Sequence, residues 1–294
     1  MSSIRSDASL KDNWKAALAN DGKVDSKEKD LILQYAVADG VTDQEIKDLE
    51  TGLKDHVDKT DLSNRFEQVF QSDAWHKKAD GVIETQKNAG ELRQGLWRAK
   101  AMGPLPKTST LPKGQEAKVA AYKAHYATAL GNLEAKGLLS KPRGAKDAKL
   151  FEKDMARLGA AIDAQLGPDH PDRAEALAGA YAALTDRYFK HPGGDVDYKG
   201  EVTTKKLFAL GKDGSGRFKC DCEGFQKIAK LFFSNVDGKF SVANHMTKGH
   251  AMGRFEVGNK AIITSNERAF MTSADDAYNT KTLDQITDRT VNGN

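Results

Sequence analysis

The sequence predicts an α+β protein in which two helical sections precede a small mixed domain. Three observations lead there. Apolar residues recur at helical spacing as far as residue 190, a proline-bearing stretch interrupts the chain at 103–114, and β-type alternation begins only beyond residue 200. The 294 residues divide into a helical domain with Asp-Gly-turn helix pairs (1–102), a linker (103–114), a helical bundle (115–192) and an α+β domain (200–294).

The first section carries a recurring phrase: "NDGKVDSKEKDL" at 20–31, "ADGVTDQEIKDL" at 38–49 and "ADGVIETQKNAGEL" at 79–92. Each reads as an Asp-Gly turn, a β-branched residue, a polar cap and an acidic helix start. The first copy resembles the second half of a calcium loop, with Asp21, Gly22, Val24, Asp25 and Glu28 in place. Its first two ligand positions fall on Ala17 and Ala19, which offer no side-chain oxygen. Calcium takes about six to eight oxygens, so capping between helices is the reading preferred here.

"GPLPKTSTLPKG" holds three of the seven prolines and reads as the linker. Beyond it, the spacing predicts helices over 115–137, 146–166 and 171–190. In the third, Ala174, Leu177, Ala178, Tyr181 and Leu184 share one face. "LGPDHPDRAEALAGAYAAL" looks like a junction within a tetratricopeptide repeat, but a single copy builds no solenoid.

Composition excludes several classes. With 45 basic against 42 acidic residues, the chain lacks the excess positive charge that phosphate binding needs, so no nucleic-acid partner is expected. No apolar run approaches the ~20 residues that span a bilayer, so no membrane partner is expected. "MSSIRSDASLKDNWK" lacks the apolar centre of a signal peptide. A cytoplasmic protein, or one exported without a cleaved leader, is the expectation. Two cysteines make no disulfide framework, which favours a reducing compartment or a working thiol.

Both cysteines lie in "KCDCEGFQKIAKLFF", 219–233. Asp221 is a helix N-cap, and Phe225, Ile228, Ala229 and Phe232 form one apolar stripe that Cys222 begins. A thiol in the first turn feels the positive helix end and unpaired N–H groups, so a lowered pKa is expected for Cys222. Cys220 precedes the cap, gains neither effect and is expected to keep an ordinary thiol pKa. If one cysteine reacts, it is Cys222. "GKDGSGR", 211–217, lacks a phosphate-loop ending and reads as a flexible loop near it.

Downstream, Phe255 and Val257 alternate with Arg254 and Glu256, Gly258-Asn259 signals a hairpin turn, and "AIIT" returns. His250 stands just before this hairpin and Asn266 just after it. A three-residue turn puts His250 and Asn266 on the same face, whereas a two-residue turn favours Ser265, and the sequence leaves the register open.

Helix-borne "DCEGF", "HA" opening a strand, and a polar residue sixteen positions later resemble the transglutaminase-like branch of the papain-like cysteine enzymes. The resemblance covers about residues 200–270. It implies Cys222 as nucleophile, His250 as general base and acid, and Asn266 as the residue orienting the imidazole. Asn266 stands where that branch usually carries Asp, and Met252 where a tryptophan often follows the histidine.

The function expected is therefore cysteine-dependent acyl transfer on protein carboxamides: a protease, a glutamine deamidase or a transglutaminase. Its substrate is a protein or peptide, and no cofactor is required. The helical bulk beside so small a thiol domain fits targeting or partner recognition, as in a delivered effector. The alternative is a non-catalytic interaction protein with a structural zinc site at Cys220, Cys222, His245 and His250. There the histidine spacing suits zinc and the one-residue cysteine spacing is tight. Outside that scheme His245 reads as a solvated residue of the loop "NHMTKGH".

Overall fold

Short polar caps start the first helices. Ser9 accepts from Asp12 N–H at the head of α1 (Leu10–Asp21), and Asp25 forms a reciprocal capping box with Glu28 at the head of α2 (Ser26–Val37). Thr42 and Glu45 repeat this arrangement at α3 (Asp43–Gly52). The computed structural model describes residues 4–38, 41–52, 73–193, 196–198, 200–245 and 249–291. The chain forms two units, Met1–Pro104 and Leu105–Asn294.

In the first unit the long helix α4 (Asp73–Met102) backs α2. It pins the α1–α2 loop by its backbone: Val24 N–H donates to Thr85 Oγ1 (3.0 Å), and Asn88 Nδ2 donates to Val24 O (2.7 Å). Asp25 is spent on its cap, and Asp21 accepts from Lys23 N–H. Both loop carboxylates thus serve the helices. The third Asp-Gly phrase is not a turn. Residues 79–92 lie wholly within α4, where Gly81 costs about 1 kcal/mol relative to alanine and the long helix tolerates it.

In the second unit, α5 (Gln115–Ala135), α6 (Ala148–Leu166) and α7 (Arg173–Tyr188) match the expected helices to within two or three residues. Burial on α7 extends well past the expected stripe to Ala176, Ala180, Ala182 and Ala183, because α7 is enclosed by α5 on one side and by the sheet on another. Small residues make that possible. A Cβ on Gly179 would lie 2.6 Å from Tyr122 Cβ of α5.

The remaining elements are β1 (Phe189–Lys190), α8 (Thr204–Ala209), β2 (Phe218–Lys219), α9 (Cys222–Phe233), β3 (Lys239–His245), β4 (His250–Val257), β5 (Lys260–Ser265), β6 (Arg268–Ser273) and α10 (Thr280–Val291). Strands β3–β6 form an antiparallel meander, and β1 pairs in parallel with β2. This is a mixed α+β architecture. The 115–192 helices and the 200–294 section share one core: Tyr181 of α7 stacks on Phe233 of α9 at 5.9 Å, and Phe233 stacks on Phe255 of β4 at 4.3 Å. The opposite sheet face packs Met252, Ala261, Ile263 and Phe270 against Ile286 of α10. Among the described residues, no helix is long and apolar enough to cross a membrane.

Candidate active site

The α9 N-terminus is built as its sequence dictates. Asp221 Oδ1 accepts from Gly224 N–H (3.0 Å) and from the Tyr198 hydroxyl (2.8 Å), while Oδ2 accepts from Val196 N–H (3.0 Å). Strand β2 runs straight into this cap, and Cys220 N–H continues the β1 pairing by donating to Lys190 O (3.0 Å). The stripe Phe225, Ile228, Ala229, Phe232 is fully buried. Cys222 therefore opens a helix anchored along its length.

The Gly258–Asn259 turn has two residues, with Val257 opposite Lys260. That settles the register. His250 Nε2 lies 2.8 Å from Ser265 Oγ, and both side chains are buried. Ser265, not Asn266, holds the imidazole in this register. Asn266 instead occupies the β5–β6 turn with φ 50°, a left-handed conformation that Asn accepts more readily than other non-glycine residues. It is 4% exposed, and its Oδ1 has no hydrogen-bond partner.

Side chains of β4 alternate as its spacing requires. Phe255 and the space beside Gly253 face α9, whereas Met252 and Arg254 face α10 and the turn before it. By the same alternation His250 and Ser265 fall on the Met252 and Ile263 side at the end of the sheet, and Cys222 opens α9 on the other side. The Ala251 amide, joined to His250, lies near enough to the Cys222 thiol to draw its pKa down.

The helix terminus does not lower the Cys222 pKa. Burial pushes the thiol up. The N–H groups of Ala251 and Glu223 pull it down, but the Asp221 and Glu223 carboxylates add to the rise, so the net shift is upward. Cys220 departs further from its expected ordinary value. It has no exposed surface, and burial, followed by the charge of Asp221, drives it well above the usual thiol range. Desolvation overrides the helix dipole at Cys222 and is the largest effect at Cys220.

His245 belongs to strand β3, with its backbone opposite His250, rather than to a loop; its side chain lies outside the described residues. Cys220 packs against Tyr198 and Gly224, where a Cβ on Gly224 would stand 2.6 Å from Cys220 Sγ. Among the described residues no group of three His, Cys, Asp or Glu side chains is arranged to hold a metal.

Sequence reasoning missed Gln226. It is 5% exposed although it lies off the apolar stripe of its helix. Its Nε2 donates to Cys222 O (3.3 Å) and Ala251 O (3.0 Å), and its Oε1 accepts from Thr264 Oγ1 (3.3 Å). No protein-family model, curated protein or solved structure matches the chain.

Proposed function

We propose that the chain is a cysteine-dependent acyl-transfer enzyme acting on protein carboxamides, with Cys222 as nucleophile and His250 as its base and acid. One observation carries the reading: the α9 turn that bears Cys222 is bonded through Gln226 to Ala251, the residue after His250, and His250 Nε2 is in turn held by Ser265. A nucleophile, a base and a group fixing that base make up the constellation that thiol catalysis requires.

The thiol starts protonated, because burial favours the neutral form. In this scheme the His250 imidazole takes the thiol proton as sulfur attacks the carboxamide carbon. Backbone N–H groups of the first α9 turn face the developing oxyanion. The C–N bond then breaks, the imidazolium returns its proton to the departing ammonia or amine, and a thioester remains. Water resolves it to a carboxylate, or an amine resolves it to a new amide, and either route restores the thiol. Asn266 serves as a turn residue in this scheme, and Ser265 takes the orienting role.

The test is a mixture of glutamine-bearing proteins with a fluorescent amine, followed by ammonia release, amine incorporation and Cys222-linked thioester by mass spectrometry. Wild type should give at least one of these products, and Cys222→Ser and His250→Ala should give none. In parallel, His250→Ala should slow iodoacetamide labelling of Cys222. Absence of all products, with labelling indifferent to His250, refutes the proposal.

A further inference from the structure

We infer that Gln226 is a positioning residue whose side-chain amide locks the Cys222 turn of α9 to the strand ends that carry His250 and Ser265. The inference rests on the thiol-enzyme reading above and deepens it. One amide group touches three places. Nε2 meets the carbonyl of Cys222 itself and that of Ala251, the residue after His250; Oε1 meets the hydroxyl of Thr264, the residue before Ser265. Each member of the proposed constellation is thus held directly or through its chain neighbour.

The sheet makes room for this contact. The β4–β5 pairing runs from Val257–Lys260 to Gly253–Thr264 and then stops. Beyond it, the Ala251 carbonyl turns to α9 and accepts from the Gln226 amide. A strand-end carbonyl left buried without a partner costs about 1–3 kcal/mol, and here α9 supplies the donor.

Gly253 keeps the space open. A Cβ there would lie 2.4 Å from Gln226 Oε1 and 2.4 Å from Thr264 Oγ1. An amide is required rather than a carboxylate or an apolar chain of similar length, because two carbonyls must be given donors while one hydroxyl is accepted. No ionised or apolar side chain does both.

The orientation has a chemical consequence. The Gln226 amide ties Cys222 O to Ala251 O, so its loss frees the Cys222 turn to shift relative to the strand end that carries His250. A misplacement of about 1 Å between reacting groups is worth on the order of a hundredfold in rate. Packing alone asks only that the side chain fill its volume; positioning asks for its hydrogen bonds.

The experiment labels Cys222 with iodoacetamide from pH 5 to pH 10 in the full chain. It compares wild type, His250→Ala, Gln226→Met and Thr264→Val, with the adduct located by mass spectrometry and folding checked by circular dichroism. Gln226→Met fills the space without donors. It should lower the His250-dependent part of the rate about tenfold or more, so that its pH profile approaches that of His250→Ala. Thr264→Val, which removes one contact and keeps the shape, should move the profile the same way by a smaller factor and stands alone if Gln226→Met does not fold. A Gln226→Glu chain should lag wild type at pH 8 and recover relative to it toward pH 5, where a protonated carboxyl regains a donor. If His250→Ala changes the profile and folded Gln226→Met and Thr264→Val do not, the positioning role is overturned while the thiol reading survives. If His250→Ala itself changes nothing, the thiol reading falls first.

Discussion

Gly159 on α6 sets how closely the site helix approaches the bundle, and replacing it with alanine measures that closeness. A Cβ at this position would stand 2.0 Å from the Phe232 carbonyl oxygen of α9. Side-chain carbons essentially never come closer than 3.0 Å to such an atom, so α9 or α6 must yield by about 1 Å. Two effects oppose each other. Alanine is the better helix former by about 1 kcal/mol, whereas overpacking a closely fitted interface costs about 1–3 kcal/mol. At this separation from backbone, the clash belongs at the upper end, and a net loss of about 2 kcal/mol follows. For a unit of this size that corresponds to a fall in melting temperature of roughly 4–8 °C. The control is Gly131→Ala on α5, whose Cβ would meet only Arg187 Nη2, at 4.0 Å. There helix propensity acts unopposed, and a gain of about 0.5–1 kcal/mol is expected. All three tryptophans, Trp14, Trp75 and Trp97, lie in the first unit. Urea unfolding is therefore followed by far-UV circular dichroism and tyrosine near-UV signals, with tryptophan fluorescence kept as the readout of residues 1–104. Because the displaced helix carries Cys222, His250-dependent labelling of that thiol should slow as well. A Gly159→Ala chain as stable as wild type would refute the packing argument.

Alkaline pH should destabilise the second unit before its tyrosines ionise. Both thiols have folded pKa values raised by burial, so the unfolded chain gives up their protons first, above about pH 8.5. Stability is then fully present below that pH and is lost as pH rises toward the folded values. The slope is at most about 1.4 kcal/mol per pH unit for each thiol, read as a falling urea midpoint, and Cys220→Ala should roughly halve it. Ser265→Ala and Asn266→Ala should separate two roles. The first should slow Cys222 labelling with little loss of fold. The second should cost about 1–2 kcal/mol for forcing alanine into the left-handed turn and leave the pH profile of labelling unchanged, with Asn266→Gly restoring stability.

Local rules made much of the site region legible. Asp221 and the Phe225–Phe232 stripe specify α9 without tertiary information, and Gly258–Asn259 specifies the hairpin. Turn length decides the rest of that hairpin: once two residues close it, alternation puts Ser265 on the face of His250. Three features depend on packing that no local pattern encodes. The third Asp-Gly phrase has the same residues as a turn, yet a 30-residue helix absorbs it. Gln226 looks like a solvent-facing polar residue until the end of the β4–β5 pairing leaves carbonyls for it to meet. The Cys222 shift reverses sign because the sequence shows the helix end and its N–H groups but not the depth at which the thiol is buried. Strand β6 and helix α10 carry no signal as sharp as a cap or a two-residue turn, and they gain definition from the face they cover, Phe270 against Ile286.

Burial of Cys222 also constrains how such a thiol would react. A preformed thiolate–imidazolium pair needs the protein to stabilise charge separation at rest, and at this helix terminus burial and the Asp221 and Glu223 carboxylates oppose it. On the proposed reading the resting pair is neutral, so proton transfer to His250 must accompany attack instead of preceding it. Two consequences distinguish this regime. Small alkylating agents should find the thiol slow near neutral pH and faster as pH rises. A carboxamide substrate, whose developing oxyanion brings negative charge to the first-turn N–H groups, should draw out reactivity that the reagent alone does not. The helix dipole then acts on the transition state more than on the ground state, which is where stabilisation raises the rate of the chemical step.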